Sequence, residues 1–117
     1  MYGILEFRNG KYVLNTYSNV TTLDAFARLI VRNAMKEEGC SDEVSYLNGW
    51  VESLNECRDG EGEEYTMADV STQASDTLVY SNAHYYKGRN PLTSEESSKL
   101  CIEVEKYLDD LITKFNL

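Results

Sequence analysis

The fold of this chain is decided at its start by the stretch Ile4-Leu5-Glu6-Phe7-Arg8-Asn9-Gly10-Lys11-Tyr12-Val13-Leu14. Strand-forming residues flank the dipeptide Asn9-Gly10, which favours a type I′ turn because both central positions of that turn need a positive φ. Residues 3–15 are therefore predicted to form a β-hairpin. An isolated two-stranded hairpin is only marginally stable in water, so we expect this one to lie on the helices that follow.

Apolar residues at helical spacing predict two helices directly after the hairpin. The first is capped by Thr21 or Thr22 and stops at Gly39, which suits the left-handed position after a helix. The second is capped by Ser41. Gly49 lies inside this second helix, at a cost of about 1 kcal/mol relative to alanine, and is expected to admit a close neighbour.

Two more helices are predicted in the second half of the chain. One begins at Thr66, with Asp69 in a short variant of the capping box, and its apolar stripe extends to Leu78. The other begins at Thr93, where Glu96 completes a capping box, and its apolar stripe runs from Leu100 to Phe115. Residues 87–91 are predicted to be a break between these helices.

These elements predict an α+β fold that is mostly α, with an N-terminal β-hairpin followed by about four helices around one core. A length of 117 residues predicts a single domain over residues 1–117. We identify no long apolar run and no signal-peptide pattern, and therefore expect a cytoplasmic protein without membrane contact. The three cysteines, an odd and widely separated set, are expected to be reduced.

The net charge of −9 is concentrated in the middle of the chain. Residues 1–36 carry a charge of +3, residues 37–76 carry −11, and residues 77–117 carry −1. The middle segment holds 12 of the 20 acidic residues, and its only base is Arg58. Such a field repels nucleic acid and attracts basic protein surfaces, so no direct nucleic-acid contact is predicted.

A metal site is the first alternative for this acidic segment. Residues 59, 61 and 63 are acids at alternate positions, which is typical of the start of a calcium loop. An EF-hand loop also needs glycine at its sixth position and glutamate at its twelfth. Those positions hold Glu64 and Val70. The pattern therefore predicts a connector loop and no dedicated metal site.

Catalytic patterns are equally sparse. His84 is the only histidine, and no pair of cysteines has zinc-finger spacing. No phosphate-binding glycine motif occurs, and no nucleophile is paired locally with a base. His84 is expected to be a partly exposed residue at a helix end. We therefore predict no catalytic residue and no cofactor. An enzyme whose site is assembled only by the fold is kept as a third hypothesis, behind the two binding hypotheses described next.

Two surfaces remain as candidate partner-binding sites. The first is acidic and would dock on a basic protein surface, such as a groove that normally holds DNA or RNA. The second is rich in tyrosine and would serve an adaptor or a self-associating subunit, for example a homodimer. The residues of the first are Glu52, Glu56, Asp59, Glu61, Glu63 and Glu64, and those of the second are Tyr80, Tyr85 and Tyr86.

The stretch Met67-Ala-Asp-Val70, then Ala74-Ser-Asp76, then Tyr80, is loosely similar to a helical pattern of small acidic phage-encoded proteins. The resemblance covers residues 66–86 and the charge balance. It implies an inhibitor of the anti-restriction or anti-CRISPR type, which acts by mimicking nucleic acid or by plugging a nucleic-acid groove. Because the first third of this chain is basic, the resemblance implies a local acidic plug here, without mimicry by the whole molecule.

Overall fold

The computed structural model describes residues 1–58, 60, 62–81 and 84–117 of the chain. The fold is α+β and mostly α, as predicted. Its elements, in chain order, are β1 (Tyr2–Arg8), β2 (Lys11–Tyr17), α1 (Leu23–Glu37), α2 (Glu43–Glu56), α3 (Met67–Asp76), a π-helical turn (Thr77–Ser81), β3 (Tyr85–Lys87), β4 (Asn90–Pro91) and α4 (Ser94–Lys114).

The predicted hairpin is confirmed. β1 and β2 pair antiparallel, and the pair Arg8 and Lys11 closes a two-residue turn. Asn9 has a φ of 51° and Gly10 a φ of 80°, which are the two positive values that a type I′ turn requires.

The hairpin belongs to a larger sheet than the sequence predicted. Four strands pair in the order β2-β1-β3-β4, and β3 is antiparallel to both of its neighbours. Residues 87–91 separate the helices, as predicted, but the sequence did not reveal that this segment also holds the end of β3, a turn and β4 of a second small hairpin. Tyr85 and Tyr86 pair with Ile4 and Gly3 across about 80 residues of chain, a contact that local patterns do not reveal.

Aromatic rings attach one face of the sheet to the helices. The ring of Tyr2 stacks on that of Phe26 in α1 at 4.9 Å, and the ring of Tyr85 meets Phe26 edge-on at 5.5 Å. The Tyr85 hydroxyl also donates a hydrogen bond of 2.6 Å to the carbonyl of Leu78. This bond satisfies a carbonyl of the π-helical turn, where the regular α-helical pattern is lost.

The core lies mainly among the helices, and Tyr2 of β1 joins it from the inner face of the sheet. α4 packs against both α1 and α3, and α3 in turn packs against α2. The completely buried hydrophobic side chains come from all four helices and the π-helical turn: Phe26, Ala27, Val31, Tyr46, Leu47, Val70, Ala74, Val79, Leu100, Val104 and Leu108.

Helix ends follow the predicted chemistry with one exception. Thr22 caps α1, and Gly39 takes a φ of 71° after its end. α2, in contrast, is capped by Asp42, so the prediction of Ser41 was wrong by one residue. The Asp42 carboxylate accepts a hydrogen bond of 2.8 Å from the Ser45 N–H. This bond lowers the pKa of Asp42.

The third and fourth helices begin where predicted. Asp69 accepts a bond of 2.9 Å from the N–H of Thr66, and Thr93 and Glu96 exchange the two bonds of a capping box. α3 ends at Asp76, however, so Leu78 does not extend its α-helical stripe but lies in the π-helical turn.

Candidate partner-binding surface

Glu52 and Glu56 are exposed on α2, one helical turn apart. α2 contains no lysine or arginine that could offset them. Like charges at this spacing slightly destabilise a helix. Gly49, on the same helix, was expected to admit a close neighbour. Among the described residues nothing lies within 4 Å of the position its Cβ would take, so that expectation was wrong.

The loop of residues 57–66, which we call the acidic loop, joins α2 to α3, and one side chain of α2 holds its far end. The Asn55 carboxamide donates to the Tyr65 carbonyl at 3.0 Å and accepts from the Tyr65 N–H at 2.8 Å. It thereby pairs with a backbone as a neighbouring strand would. Its amide also donates to the Val51 carbonyl at 3.1 Å, which fixes the side chain on α2. The acidic loop is consequently attached to the helix at both ends.

Arg58 provides a second internal contact within this loop. Its guanidinium donates to the Gly62 carbonyl at 2.9 Å and lies 3.9 Å from the Glu64 carboxylate. Gly60 and Gly62 have φ values of 80° and 90°, in the left-handed region that favours glycine. Both glycines therefore have a left-handed backbone conformation that is common in turns, which agrees with the prediction of a connector loop.

The acidic charge of this region is largely uncompensated. Across the described part of residues 37–76, the pair between Arg58 and Glu64 is the only ion pair. Even there the Glu64 side chain is 77% exposed. Glu63 is exposed as well. We call Glu52, Glu56, Glu63 and Glu64 the acidic surface. Asp59 and Glu61, which were predicted to belong to it, lie outside the described residues.

The three predicted tyrosines do not share one surface. Tyr80 is 53% exposed, and its hydroxyl lies 3.5 Å from that of Ser98. Tyr85 is part of the sheet–helix contact, and burial raises its pKa to about 12. Tyr86, the next residue along β3, points to the opposite face of the sheet because side chains alternate along a strand.

His84 is exposed and lies directly before β3, where its carbonyl accepts a hydrogen bond of 2.7 Å from the Leu5 N–H. Within the described ranges, no three His, Cys, Asp or Glu side chains are grouped so that they could hold a metal ion. The cysteines at 40, 57 and 101 are free, and Cys101 is buried. None of the helices in these ranges is long and apolar enough to span a membrane.

A groove of about 530 Å³ lies between β1, α1 and the π-helical turn. Its polar lining includes Asn33, Glu37 and His84, together with Glu6, which forms an ion pair with Arg8. The walls come from three separate parts of the sequence, which is why no local motif predicted the groove.

Sequence reasoning also missed Asn55, the residue that holds the acidic loop in place. An asparagine near a helix C-terminus has no special pattern. Its role depends on Tyr65, ten residues away, and only the folded loop brings the two together.

Comparisons with protein-family models, with curated protein sequences and with solved structures find no match to this chain.

Proposed function

We propose that this chain is a non-enzymatic binding protein that inhibits or modulates a basic, nucleic-acid-handling protein through its acidic surface. The partner would present lysines and arginines in a groove that otherwise holds DNA or RNA. An inhibitor of the anti-CRISPR or anti-restriction type, acting in the cytoplasm, is the specific form of this proposal.

The observation that supports the proposal is a set of exposed carboxylates on an anchored support. Asn55 and Arg58 hold the loop through its backbone, whereas the carboxylates themselves remain in solvent. Ordering a loop costs conformational entropy on binding, and a loop that is already anchored avoids part of that cost. Among the described residues, Glu52, Glu56 and Glu63 form no ion pair and Glu64 is mostly exposed, so these carboxylates are available to pair with cations of another protein.

Electrostatics also supports a basic partner over a neutral or acidic one. The segment of −11 charge dominates the field of the chain, and such a field accelerates encounter with a positive groove. The effect is screened with a Debye length of about 8 Å at physiological salt. Binding through this surface should therefore weaken strongly as salt is added.

The proposal is tested by titrating the chain into DNA-cleavage reactions of RNA-guided nucleases and restriction endonucleases. The decisive variant reverses three charges of the loop, Glu61→Lys, Glu63→Lys and Glu64→Lys. We expect the wild type to inhibit at least one nuclease in competition with its nucleic acid, and the triple variant to be at least ~10-fold weaker, in line with charged contacts at interfaces.

A matched control reverses three exposed acids of α4, Glu95, Asp109 and Asp110, which changes the net charge equally at another site. Retained inhibition by this control would assign the effect to the acidic residues of the loop. Equal inhibition by the wild type and the loop variant, with the same salt dependence, would refute the proposal.

A further inference from the structure

One face of the sheet is turned away from the helices. Tyr2 and Ile4 pack toward the core, so alternation along β1 places Gly3, Leu5 and Phe7 on the opposite face. Leu14 and Thr16 of β2 lie on that same face. Their side chains come within 3.3 Å and 3.2 Å of the place where a Cβ on Gly3 would be, so the glycine lets them lie over β1.

This outer face carries exposed aromatic rings. Phe7 is 64% exposed and Tyr12 is 62% exposed, and their rings meet edge-on at 5.1 Å across the two strands. The ring of His84 lies 6.1 Å from that of Tyr12 and extends the group toward β3. We define the outer sheet face by the side chains of Leu5, Phe7, Tyr12, Leu14, His84 and Tyr86.

None of the six side chains that define the outer sheet face is formally charged, in a chain of net charge −9. The basic residues of the same strands point the other way. Arg8 pairs with Glu6 on the helix side, and Lys87 lies 3.9 Å from Glu96 of α4. An exposed aromatic patch without charge is typical of a protein-binding surface.

We propose that the outer sheet face binds the same face of a second copy of this chain. A nucleic acid would need cations on this face to neutralise its phosphates. A basic protein would be attracted to the acidic surface instead. The face is uncharged, so two copies related by a twofold axis bring no like charges together there, and two sheets can pack face to face.

The size of the face sets the expected affinity. β1 and β2 have seven residues each and rise about 23 Å, whereas β3 and β4 have only three and two residues. With strands about 5 Å apart, the face covers roughly 300 Å². Stable interfaces bury about 800 Å² on each partner. We therefore expect a weak, reversible dimer that dissociates at a concentration on the order of 10–100 µM.

Sedimentation velocity of the full chain, from about 1 to about 500 µM, tests this inference over the range set by that affinity. We expect a monomer–dimer equilibrium that is maintained or strengthened by added salt, because salt screens the repulsion between two acidic chains. The variant Phe7→Thr/Tyr12→Thr keeps strand propensity and charge but removes both rings. Its dissociation constant should rise at least ~10-fold, since aromatic residues dominate interface energies.

The control variant is Ile102→Gln, because Ile102 is 56% exposed on α4, outside the sheet. It should dimerise like the wild type. Circular dichroism and the melting temperature of the double variant establish that its fold is retained; if it is unfolded, Tyr12→Thr alone replaces it.

Three results would overturn the inference. The first is a wild type that stays monomeric throughout this range, and the second is a folded double variant that dimerises as well as the wild type. The third is binding of the monomer's outer face to a single-stranded oligonucleotide, measured by fluorescence anisotropy and lost in the double variant. The loop charge-reversal variant should still dimerise, so failure of this inference and failure of the proposed function are separable.

Discussion

The acidic surface and the outer sheet face lie on different parts of one molecule and rest on different forces. The acidic surface is anchored by polar bonds from Asn55 and Arg58 to backbone groups, and its charge acts over several ångströms of solvent. The outer sheet face is held in place from the inner side of the sheet, where Tyr2 stacks on Phe26 and Tyr85 meets Phe26 edge-on, and its own aromatic rings act only at contact. A charged surface favours rapid, salt-sensitive encounter, whereas an aromatic one favours short-range contact that salt does not weaken.

The largest expected effect comes from removing the support of the sheet. Phe26→Ala should lower the free energy of unfolding by about 3–5 kcal/mol, because a fully buried ring is lost and a cavity remains. Urea denaturation measures the change. The matched control is Phe7→Ala, in which the ring is mostly solvent-exposed and the loss should stay below about 1 kcal/mol. Equal losses for the two variants would contradict the assignment of inner and outer faces.

Two tyrosines, the buried Tyr46 of α2 and the partly buried Tyr85 of β3, make the fold sensitive to alkali. Burial raises the pKa of Tyr46 and of Tyr85 to about 12, whereas an unfolded chain titrates near 10. Keeping these two phenols neutral contributes to the free energy of unfolding in full below pH 10. That contribution, about 2 kcal/mol for each phenol, is lost as the pH rises toward 12. Urea denaturation across this pH range, with phenolate absorbance recorded in parallel, measures it. Ionisation of all tyrosines near pH 10 in the folded protein would exclude this account.

The anchor of the acidic loop gives the next effect. Asn55→Ala removes both hydrogen bonds to Tyr65 and should lower the free energy of unfolding by about 2 kcal/mol. Hydrogen exchange at the Tyr65 amide should also become faster, because its acceptor is gone. Asn48→Ala, at an exposed site on the same helix, is the control and should leave both measurements nearly unchanged. Unaltered exchange at Tyr65 in Asn55→Ala would show that the loop is held in another way.

Removing the hydroxyl group of each of these two tyrosines should change the stability of the protein in opposite directions. The Tyr85 hydroxyl donates a hydrogen bond to the Leu78 carbonyl, so Tyr85→Phe should lower the free energy of unfolding by about 1 kcal/mol. The Tyr46 hydroxyl is buried without a hydrogen-bond partner of good geometry among the described residues. Tyr46→Phe should therefore be neutral or stabilising by up to about 1 kcal/mol. Thermal unfolding of both variants at pH 7 decides the matter, and a destabilised Tyr46→Phe would reveal a partner for that hydroxyl.

The smallest effect concerns the helix beneath the acidic surface. Gly49→Ala should stabilise the protein by about 0.5–1 kcal/mol, because alanine is the better helix former and nothing described lies near its Cβ. Partner binding through Glu52 and Glu56 should be unchanged, since no charge is altered. A destabilised variant would indicate that the helix is packed more tightly at this point than the structure shows.

Much of the fold was predictable because its signals are local. Asn9-Gly10 favours one type of turn through its backbone conformation, and Thr93 with Glu96 satisfies the free N–H groups of its own helix. The misplaced cap of α2 shows the limit of such reasoning. Ser41 and Asp42 are both good caps, and the choice between them depends on where the chain leaves the preceding turn.

The candidate surfaces were predictable only in part. The excess of acids between residues 37 and 76 is visible in the sequence, but the bonds that anchor it are not. Tyrosines 80, 85 and 86 are close in sequence, yet the π-helical turn and the strand direct them to different places.

The sequence by itself determined the hairpin, the helix starts and the location of the charge, because each depends on residues within a few positions of one another. Only the tertiary structure decided that β3 joins β1 and that one face of the sheet is left open to solvent. Those outcomes depend on pairing between residues about 80 positions apart, and such pairing is set by how the whole core packs. For this reason the exposed pair of Phe7 and Tyr12 is indistinguishable, in sequence, from two ordinary core residues of a strand.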